Sequence, residues 1–253
     1  KEYREDESEY QDDEITRPRR RGFFFKISDV LVLLAFIVSS APQLSYLFND
    51  RLAFLEQNQV LRNDQIVQIA KPAVVSIEAV DTSNPVKTTT HTGTGFNVDP
   101  AGIVVTNEHI VAGSGTITIT FESGQKFYAD HYDQVPGYDL AVIRLNSADL
   151  AAIDIDWEEK PQAGDTVTVV GNPLGFQKIA QRGKVAGYYR DGSDHRLLAI
   201  HLPINPGNSG SPVITEQARV VAIIFGSAHQ ENDGQEEPLA LAIPVQALAD
   251  ALR

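Results

Sequence analysis

Both sulfur-containing residues are missing from this sequence of 253 residues, which has no cysteine and no methionine. The absence of cysteine excludes disulfides, thiolate nucleophiles and cysteine-ligated zinc or iron–sulfur sites. Basic residues are scarce as well, since 34 Asp and Glu residues face 21 Lys and Arg residues, for a formal net charge of −13. Because such a surface repels phosphate groups, the composition disfavours nucleic acid as a partner.

Aliphatic side chains are almost absent from the first fourteen residues, which are mostly Glu, Asp, Tyr and Ser. A segment of this composition cannot bury enough apolar surface to fold, so it is predicted to be a disordered acidic tail. Basic residues then cluster between Arg17 and Lys26. We assign residues 1–22 to this tail and place it in the cytoplasm, because basic residues flank an apolar span on its cytoplasmic side.

The run Val30–Phe48 carries no charged residue over its 19 positions. As a helix it would rise about 28 Å, close to the thickness of a bilayer core. Three interpretations are open: an uncleaved membrane anchor, a signal peptide cleaved after Ser39-Ser40-Ala41, and a buried core helix. Pro42 makes a poor cleavage context, and the sequence favours a transmembrane helix over residues 23–49, with the membrane contact at 30–48. The rest of the chain then lies outside the cytoplasm.

Residues 50–71 place apolar side chains at three- and four-residue spacing, interrupted by Gln59 and Arg62. This spacing predicts an amphipathic helix. We interpret it as a helical stalk or linker. An oligomer contact and a helix lying on the next domain are the alternatives.

Between Pro72 and Pro244 the sequence changes to about a dozen short apolar runs separated by turn residues. Without patterns for long helices, this predicts an all-β architecture of barrels or sandwiches. The polar segment 147–164 divides the runs into two halves, which we assign to domains 72–150 and 151–253. The second domain is expected to end in a short C-terminal helix.

Ser209 lies in Asn205–Pro212, a stretch rich in glycine and proline between apolar runs. A serine on a tight turn, beside backbone N–H groups that glycine can aim outward, would supply a nucleophile and an oxyanion hole for acyl transfer. The same residue types also make ordinary surface turns, so this stretch alone leaves both interpretations open.

Two further residues fit a nucleophilic site. His109 follows the apolar run Ile103–Val105, and Asp139 precedes the apolar run Leu140–Ile143. A histidine and a carboxylate at the ends of buried strands are the partners that a serine nucleophile requires. Each alone is more often a capping or solvated residue, whereas all three together favour catalysis.

These segments resemble the HtrA/Deg family of trypsin-like serine proteases over about 66–253. The matching segments, in the family's order, are Thr92-Gly93-Thr94-Gly95-Phe96, Thr106-Asn107-Glu108-His109-Ile110-Val111, Asp139-Leu140-Ala141-Val142-Ile143, Gly171-Asn172-Pro173-Leu174-Gly175, Asn205-Pro206-Gly207-Asn208-Ser209-Gly210-Ser211-Pro212 and Leu241-Ala242-Ile243-Pro244. The resemblance implies two six-stranded antiparallel β-barrels with the active site between them. It also implies a trimer, formed through residues around 50–75.

The resemblance assigns His109 as general base, Asp139 as its orienting partner and Ser209 as nucleophile. The N–H groups of Gly207 and Ser209 would form the oxyanion hole. Cofactors and metals are not expected. The substrate pocket is expected near the segments 204–208 and 223–227. The residues assigned to it are Ile204, Asn205, Ile223, Ile224, Phe225 and Gly226. Because these segments hold no Asp or Glu, small or medium aliphatic P1 residues are expected.

Four departures from the family pattern bear on activity. The family has Gly-Gly after the serine, and here the pair is Gly210-Ser211, so that the Ser211 side chain is expected to crowd the cleft wall. The segment 200–204 replaces a longer one that shapes the oxyanion loop. Asn208 stands where chymotrypsin-type enzymes have an Asp that pairs with a new N-terminus, which favours loop rearrangement over a zymogen switch. PDZ domains, which usually follow in the family, are absent from the sequence given.

The sequence therefore predicts a membrane-anchored serine endopeptidase with its protease domain in the periplasm or another space outside the cytoplasm. Its substrates would be unfolded or membrane-proximal polypeptides. The alternative is a proteolytically silent relative that binds peptides or acts as a scaffolding subunit of a membrane complex.

Overall fold

Strands make up most of the regular secondary structure in the computed structural model, which describes residues 54–81, 88–190, 195–232 and 235–252. The predicted acidic tail and the predicted membrane anchor, including 30–48, lie outside these residues. Among the helices that the structure describes, none is both long and apolar enough to cross a membrane.

The first half of the strands forms one seven-stranded antiparallel sheet. Its strands are β1 (Val74–Asp81), β2 (Thr89–Asn97), β3 (Ile103–Thr106), β4 (Ser114–Thr120), β5 (Lys126–Ala129), β6 (Asp133–Gln134) and β7 (Ala141–Arg144). They lie in the order β5-β4-β1-β2-β3-β7-β6. A single helical turn, α3 (Glu108–Val111), connects β3 to β4.

The expectation of a closed first barrel was wrong, because the sheet of β1–β7 is open and forms a half-barrel. Its two edge strands explain the difference. β6 has two residues, both exposed, and it pairs with β7 alone. β5 has four residues, and its Tyr128 is 71 % exposed. Closing a barrel requires a continuous ladder between the edge strands, which strands as short as β5 and β6 do not provide.

The second half forms the closed six-stranded barrel that the resemblance implied, in the order β10-β13-β12-β11-β8-β9. Its strands are β8 (Thr166–Gly171), β9 (Ile179–Arg190), β10 (Arg196–His201), β11 (Pro212–Ile214), β12 (Val220–Asn232) and β13 (Gln235–Pro244). A 3₁₀ turn, Val245–Leu248, occupies the place of the expected C-terminal helix.

Apolar side chains from both halves pack together in one buried cluster. Phe96 on β2 and Val142 on β7 share it with Ile214 on β11 and Ile223 on β12. Two further clusters fill the interior of the first sheet and of the barrel separately. Because the shared cluster excludes water from the junction, it fixes the ends of β2 and β3 against β11 and β12.

In the described part of the segment predicted as a stalk or linker, two helical stretches lie against the barrel, α1 (described over 54–61) and α2 (Gln65–Ala70). The Gln57 side chain donates to the Arg182 carbonyl at 2.9 Å and accepts from the Arg182 N–H at 3.1 Å. The Asp64 carboxylate caps α2 and pairs with the Arg182 guanidinium at 2.8 Å. These contacts tie both helices to β9.

Lys178 is a buried cation between the two halves, with 6 % of its surface exposed. Its Nζ donates to the carbonyl oxygens of Lys71, at 3.1 Å, and Val74. Burial lowers the pKa of the Lys178 ammonium from its ordinary 10.5 to about 8; the Glu122 carboxylate opposes this shift and the Lys71 ammonium adds to it.

Lys178→Met is expected to change how stability depends on pH. Between pH 8 and 10.5 the unfolded chain binds a proton at Lys178 that the folded chain has lost, so this group makes the free energy of unfolding rise with pH. The wild type should therefore gain stability relative to Lys178→Met between pH 7.5 and 10. Urea unfolding of the full chain at both pH values measures this, with Lys126→Met, an exposed lysine on β5, as the control. If the free energies of unfolding of wild type and Lys178→Met differ by the same amount at pH 7.5 and at pH 10, the prediction is contradicted.

Candidate active site

His109 and Asp139 come together because β3 and β7 are antiparallel neighbours. Thr106, the last residue of β3, lies opposite Ala141, the first residue of β7. The end of β3 and the start of β7 therefore meet at one edge of the sheet. His109 follows on α3, and Asp139 lies just before the buried Leu140.

The Asp139 carboxylate contacts His109 through both of its oxygens. The His109 Nδ1 lies 2.6 Å from Oδ2, and the His109 backbone N–H donates to Oδ1 at 2.9 Å. The Asn107 amide donates to the Asp139 carbonyl at 2.7 Å. Because an ionised carboxylate only accepts hydrogen bonds, the ring proton lies on Nδ1, and Nε2 is left as an acceptor. The His109 side chain is 45 % exposed, so substrate has access to it.

Ser209 lies on a compact turn that ends at β11. The Asn208 N–H donates to the Asn205 carbonyl at 3.1 Å, and the Gly210 N–H donates to the Ile224 carbonyl at 2.8 Å. Gly207 and Gly210 have φ of +99° and +82°. A Cβ at Gly207 would overlap the Asn172 carbonyl oxygen, so this position needs glycine for space as well as for its backbone angle.

Thr94 on β2 connects the Ser209 turn to the end of β3, three residues before His109. The Thr94 N–H donates to the Ser209 carbonyl at 2.9 Å, and the Thr94 hydroxyl donates to the Gly207 carbonyl at 2.6 Å. The Thr106 hydroxyl donates to the Thr94 carbonyl at 2.7 Å. Ser209 thus reaches the sheet edge that holds His109 and Asp139. Within the described residues no hydrogen bond joins Ser209 to His109.

The backbone N–H groups of Gly207 and Ser209 are free to donate a hydrogen bond. In the part of the chain that the structure describes, neither the Gly207 N–H nor the Ser209 N–H has an acceptor. The Pro206 carbonyl accepts from the Leu174 N–H at 2.8 Å. Because a trans peptide is planar, the Gly207 N–H points away from Leu174. These two groups are the ones expected to bind an oxyanion.

The six residues expected to line the substrate pocket differ in exposure. Ile223 and Ile224 are fully buried and belong to core clusters. The other four are half-buried, namely Ile204, Asn205, Phe225 and Gly226. The pairing of β12 with β13 shifts register between Ile224 and Gly226, so Phe225 lies at a bulge beside the Ser209 turn.

Ser211 does not crowd the cleft, contrary to expectation. Its side chain is fully buried and lies against Gly171 on β8, beside the buried side chain of Asn208. The Ser211 hydroxyl and the Asn208 amide have no hydrogen-bond partner among the described residues. A side chain at Gly171 would overlap both, so the space behind the turn depends on this glycine.

Sequence reasoning missed the residues that hold the turn. Asn172 donates from its backbone N–H and from its side chain to the Thr94 hydroxyl, at 2.9 and 3.1 Å. Thr94 and Asn172 belong to segments that resemble the family, and this is the only sequence signal that marks them. Across the described residues, no group of three or more His, Cys, Asp or Glu side chains is placed to hold a metal ion.

Comparison with known sequences identifies the relatives of this chain. A family model described as a trypsin-like peptidase domain matches residues 93–223. A probable periplasmic serine endoprotease, DegP-like, from Chlamydia pneumoniae is 35 % identical over 160 residues, which cover 59 % of this chain and 32 % of the relative. The serine endoprotease DegS of Escherichia coli K12 is 29 % identical over 189 residues, which cover 71 % of this chain and 53 % of DegS. The chain thus spans between a third and about half of these relatives' lengths.

Solved structures share the fold. A protease from M. tuberculosis in its active form gives a TM-score of 0.65 at 24 % identity and covers 75 % of this chain and 83 % of its own. The HtrA-type protease AlgW with a tripeptide gives a TM-score of 0.61 at 21 % identity, and the match covers 74 % of this chain and 61 % of the AlgW chain. The solved structures show the fold, and the matched family model together with the relatives shows that this chain belongs to the HtrA/Deg family of trypsin-like serine proteases.

Proposed function

We propose that the chain is a serine endopeptidase that hydrolyses polypeptides, with Ser209 as nucleophile, His109 as general base and Asp139 as its orienting partner. The two-point contact of the Asp139 carboxylate with His109 carries the proposal. It fixes the imidazole with Nε2 as the proton acceptor, which is the state that a general base needs.

The Ser209 hydroxyl attacks the scissile carbonyl carbon while His109 Nε2 takes its proton. The carbonyl oxygen becomes an oxyanion, and the free N–H groups of Gly207 and Ser209 are available to stabilise it. His109 then gives the proton to the leaving amine, so that the peptide bond breaks and an acyl-enzyme remains. Water, activated by the same histidine, hydrolyses the acyl-enzyme and regenerates Ser209.

Asp139 acts on His109 rather than on substrate. When the imidazole takes the serine proton it becomes a cation, and the adjacent carboxylate stabilises this charge. The carboxylate also prevents the ring from turning, since its second oxygen is bound to the His109 backbone N–H.

The location and assembly of the enzyme are part of the proposal. Relatives named as periplasmic endoproteases support a protease domain outside the cytoplasm. The charge-free run at 30–48 supports a membrane anchor, which would bring the enzyme near membrane-proximal or unfolded substrates. The family resemblance supports a trimer.

Ser209 is expected to react with a fluorophosphonate probe in the wild-type chain, because the probe reacts only with an activated serine hydroxyl. Ser209→Ala should show no labelling, as judged by fluorescence after gel electrophoresis and by the mass of the intact protein. Absence of Ser209-dependent labelling, with and without added peptides, would refute the endopeptidase and leave the silent peptide-binding relative.

Asp139→Asn is expected to lower kcat/KM on a peptide substrate by about 10³–10⁴-fold, because an amide stabilises the wrong imidazole tautomer. Asp133→Asn makes the same change at an exposed carboxylate on β6 and should stay within about threefold of wild type. Equal effects of the two substitutions would contradict the role of Asp139.

Cleavage is expected after small or medium aliphatic P1 residues. The half-buried residues Ile204, Asn205, Phe225 and Gly226 offer no carboxylate for a basic side chain. Digestion of a peptide library, with products identified by mass spectrometry, measures the preference. Dominant cleavage after Lys or Arg would show that the pocket lies elsewhere.

A further inference from the structure

Thr94 lies at the centre of the hydrogen bonds that hold the Ser209 turn, although it belongs to the other half of the fold. It is on β2 and has none of its surface exposed. Its hydroxyl lies 2.6 Å from the Gly207 carbonyl oxygen, 2.9 Å from the Asn172 backbone nitrogen and 3.1 Å from the Asn172 side-chain nitrogen.

The hydrogen-bonding capacity of this hydroxyl is fully used. A threonine hydroxyl has one hydrogen to donate and two lone pairs that accept. Both Asn172 groups are donors and occupy the lone pairs, so the hydrogen has to go to the Gly207 carbonyl. Asn172 is itself held in place, because its side chain donates to the Val75 carbonyl at 3.0 Å and accepts from the Lys178 N–H at 3.0 Å.

Gly207 needs external restraint because it has no side chain. Its φ of +99° lies in a region that glycine enters and leaves at little cost, so the peptide groups on either side can rotate. The Pro206 carbonyl before it is bound to the Leu174 N–H, and the Gly207 carbonyl is bound to the Thr94 hydroxyl. The first bond fixes the peptide plane that carries the Gly207 N–H, and the second fixes the plane that follows, so that neither plane beside the Gly207 Cα is free to turn.

We propose that the Thr94 hydroxyl is a positioning residue for the oxyanion hole: by holding the Gly207 carbonyl, it keeps the Gly207 N–H directed at the oxyanion. The inference deepens the proposed function and rests on it. The hydroxyl touches neither substrate nor the reacting atoms and acts through Gly207. Its effect should therefore fall on the acylation step and not on the binding of peptide in the ground state.

Two substitutions separate the hydroxyl from the shape of the side chain. Thr94→Val keeps the volume and removes the hydroxyl, whereas Thr94→Ser keeps the hydroxyl and removes a methyl group. Thr168→Val is the matched control, because Thr168 is a buried threonine on β8 whose hydroxyl accepts from the Arg182 side chain at 3.1 Å, away from the turn. It reports the cost of losing any buried threonine hydroxyl.

The experiment measures the reactivity of Ser209 in the full chain. The first probe is a fluorophosphonate, which phosphonylates the serine hydroxyl with loss of fluoride and serves as the measure of acylation. The second measurement is steady-state hydrolysis of an aliphatic P1 peptide. Thr94→Val is expected to lower the acylation rate constant and kcat by about 10–100-fold with KM within about threefold, since loss of one oxyanion-hole donor costs up to 10²–10³-fold. Thr94→Ser and Thr168→Val should stay within about threefold of wild type. Active-site titration counts competent sites, so that an unfolded fraction lowers the amplitude and not the rate constant.

Three results would overturn the inference while leaving the proposed function in place: wild-type acylation rates in Thr94→Val, an equal loss in Thr94→Ser, or an equal loss in Thr168→Val. A wild type that shows no Ser209-dependent labelling would overturn the proposed function and this inference together.

Discussion

The approach of the Ser209 turn to Thr94 is the contact on which the candidate site depends. At Gly210, a Cβ would overlap the Thr94 carbonyl and crowd the Thr106 hydroxyl, so the turn comes this close only because the residue is glycine. The contact also satisfies the Gly207 and Ser209 carbonyls, which would otherwise lie unpaired beside buried strands. An unpaired buried polar group costs about 1–3 kcal/mol, so these bonds hold the turn in one arrangement.

The rest of the architecture serves to keep that contact in register. The closed barrel of β8–β13 supplies the turn, and the open sheet of β1–β7 supplies Thr94, His109 and Asp139. Phe96, Ile214 and the other members of the shared cluster bury the junction between them. Closure of the first sheet is not needed for this, because β2 and β3 lie in its middle and β7 is held by β3 on one side whatever the short edge strand β6 does on the other.

The buried polar side chains around the Ser209 turn are not equally well hydrogen-bonded. The side chains of Asn208 and Ser211 are buried against Gly171 without hydrogen-bond partners in the described chain, whereas the side chains of Thr94 and Asn172 use their capacity almost fully. Buried polar groups usually have partners, so the turn carries an energetic cost on one side. The bonds to Thr94 and Asn172 offset that cost on the other side.

The sequence by itself determined the strand-rich architecture, because apolar runs and turn residues act over a few neighbouring positions. It also marked His109, Asp139 and Ser209 as candidates, whereas the closed second barrel followed from the family resemblance and not from a local pattern. The sequence also predicted that 50–71 is helical, without showing that α1 and α2 rest on β9. Tertiary structure alone decided that the first sheet stays open, because closure depends on how two residues of β6 pair. It alone assigned roles to Thr94 and Asn172, whose contacts with the turn and with each other span 113 and 78 positions. Such contacts form only after the strands have paired, and no local pattern encodes them.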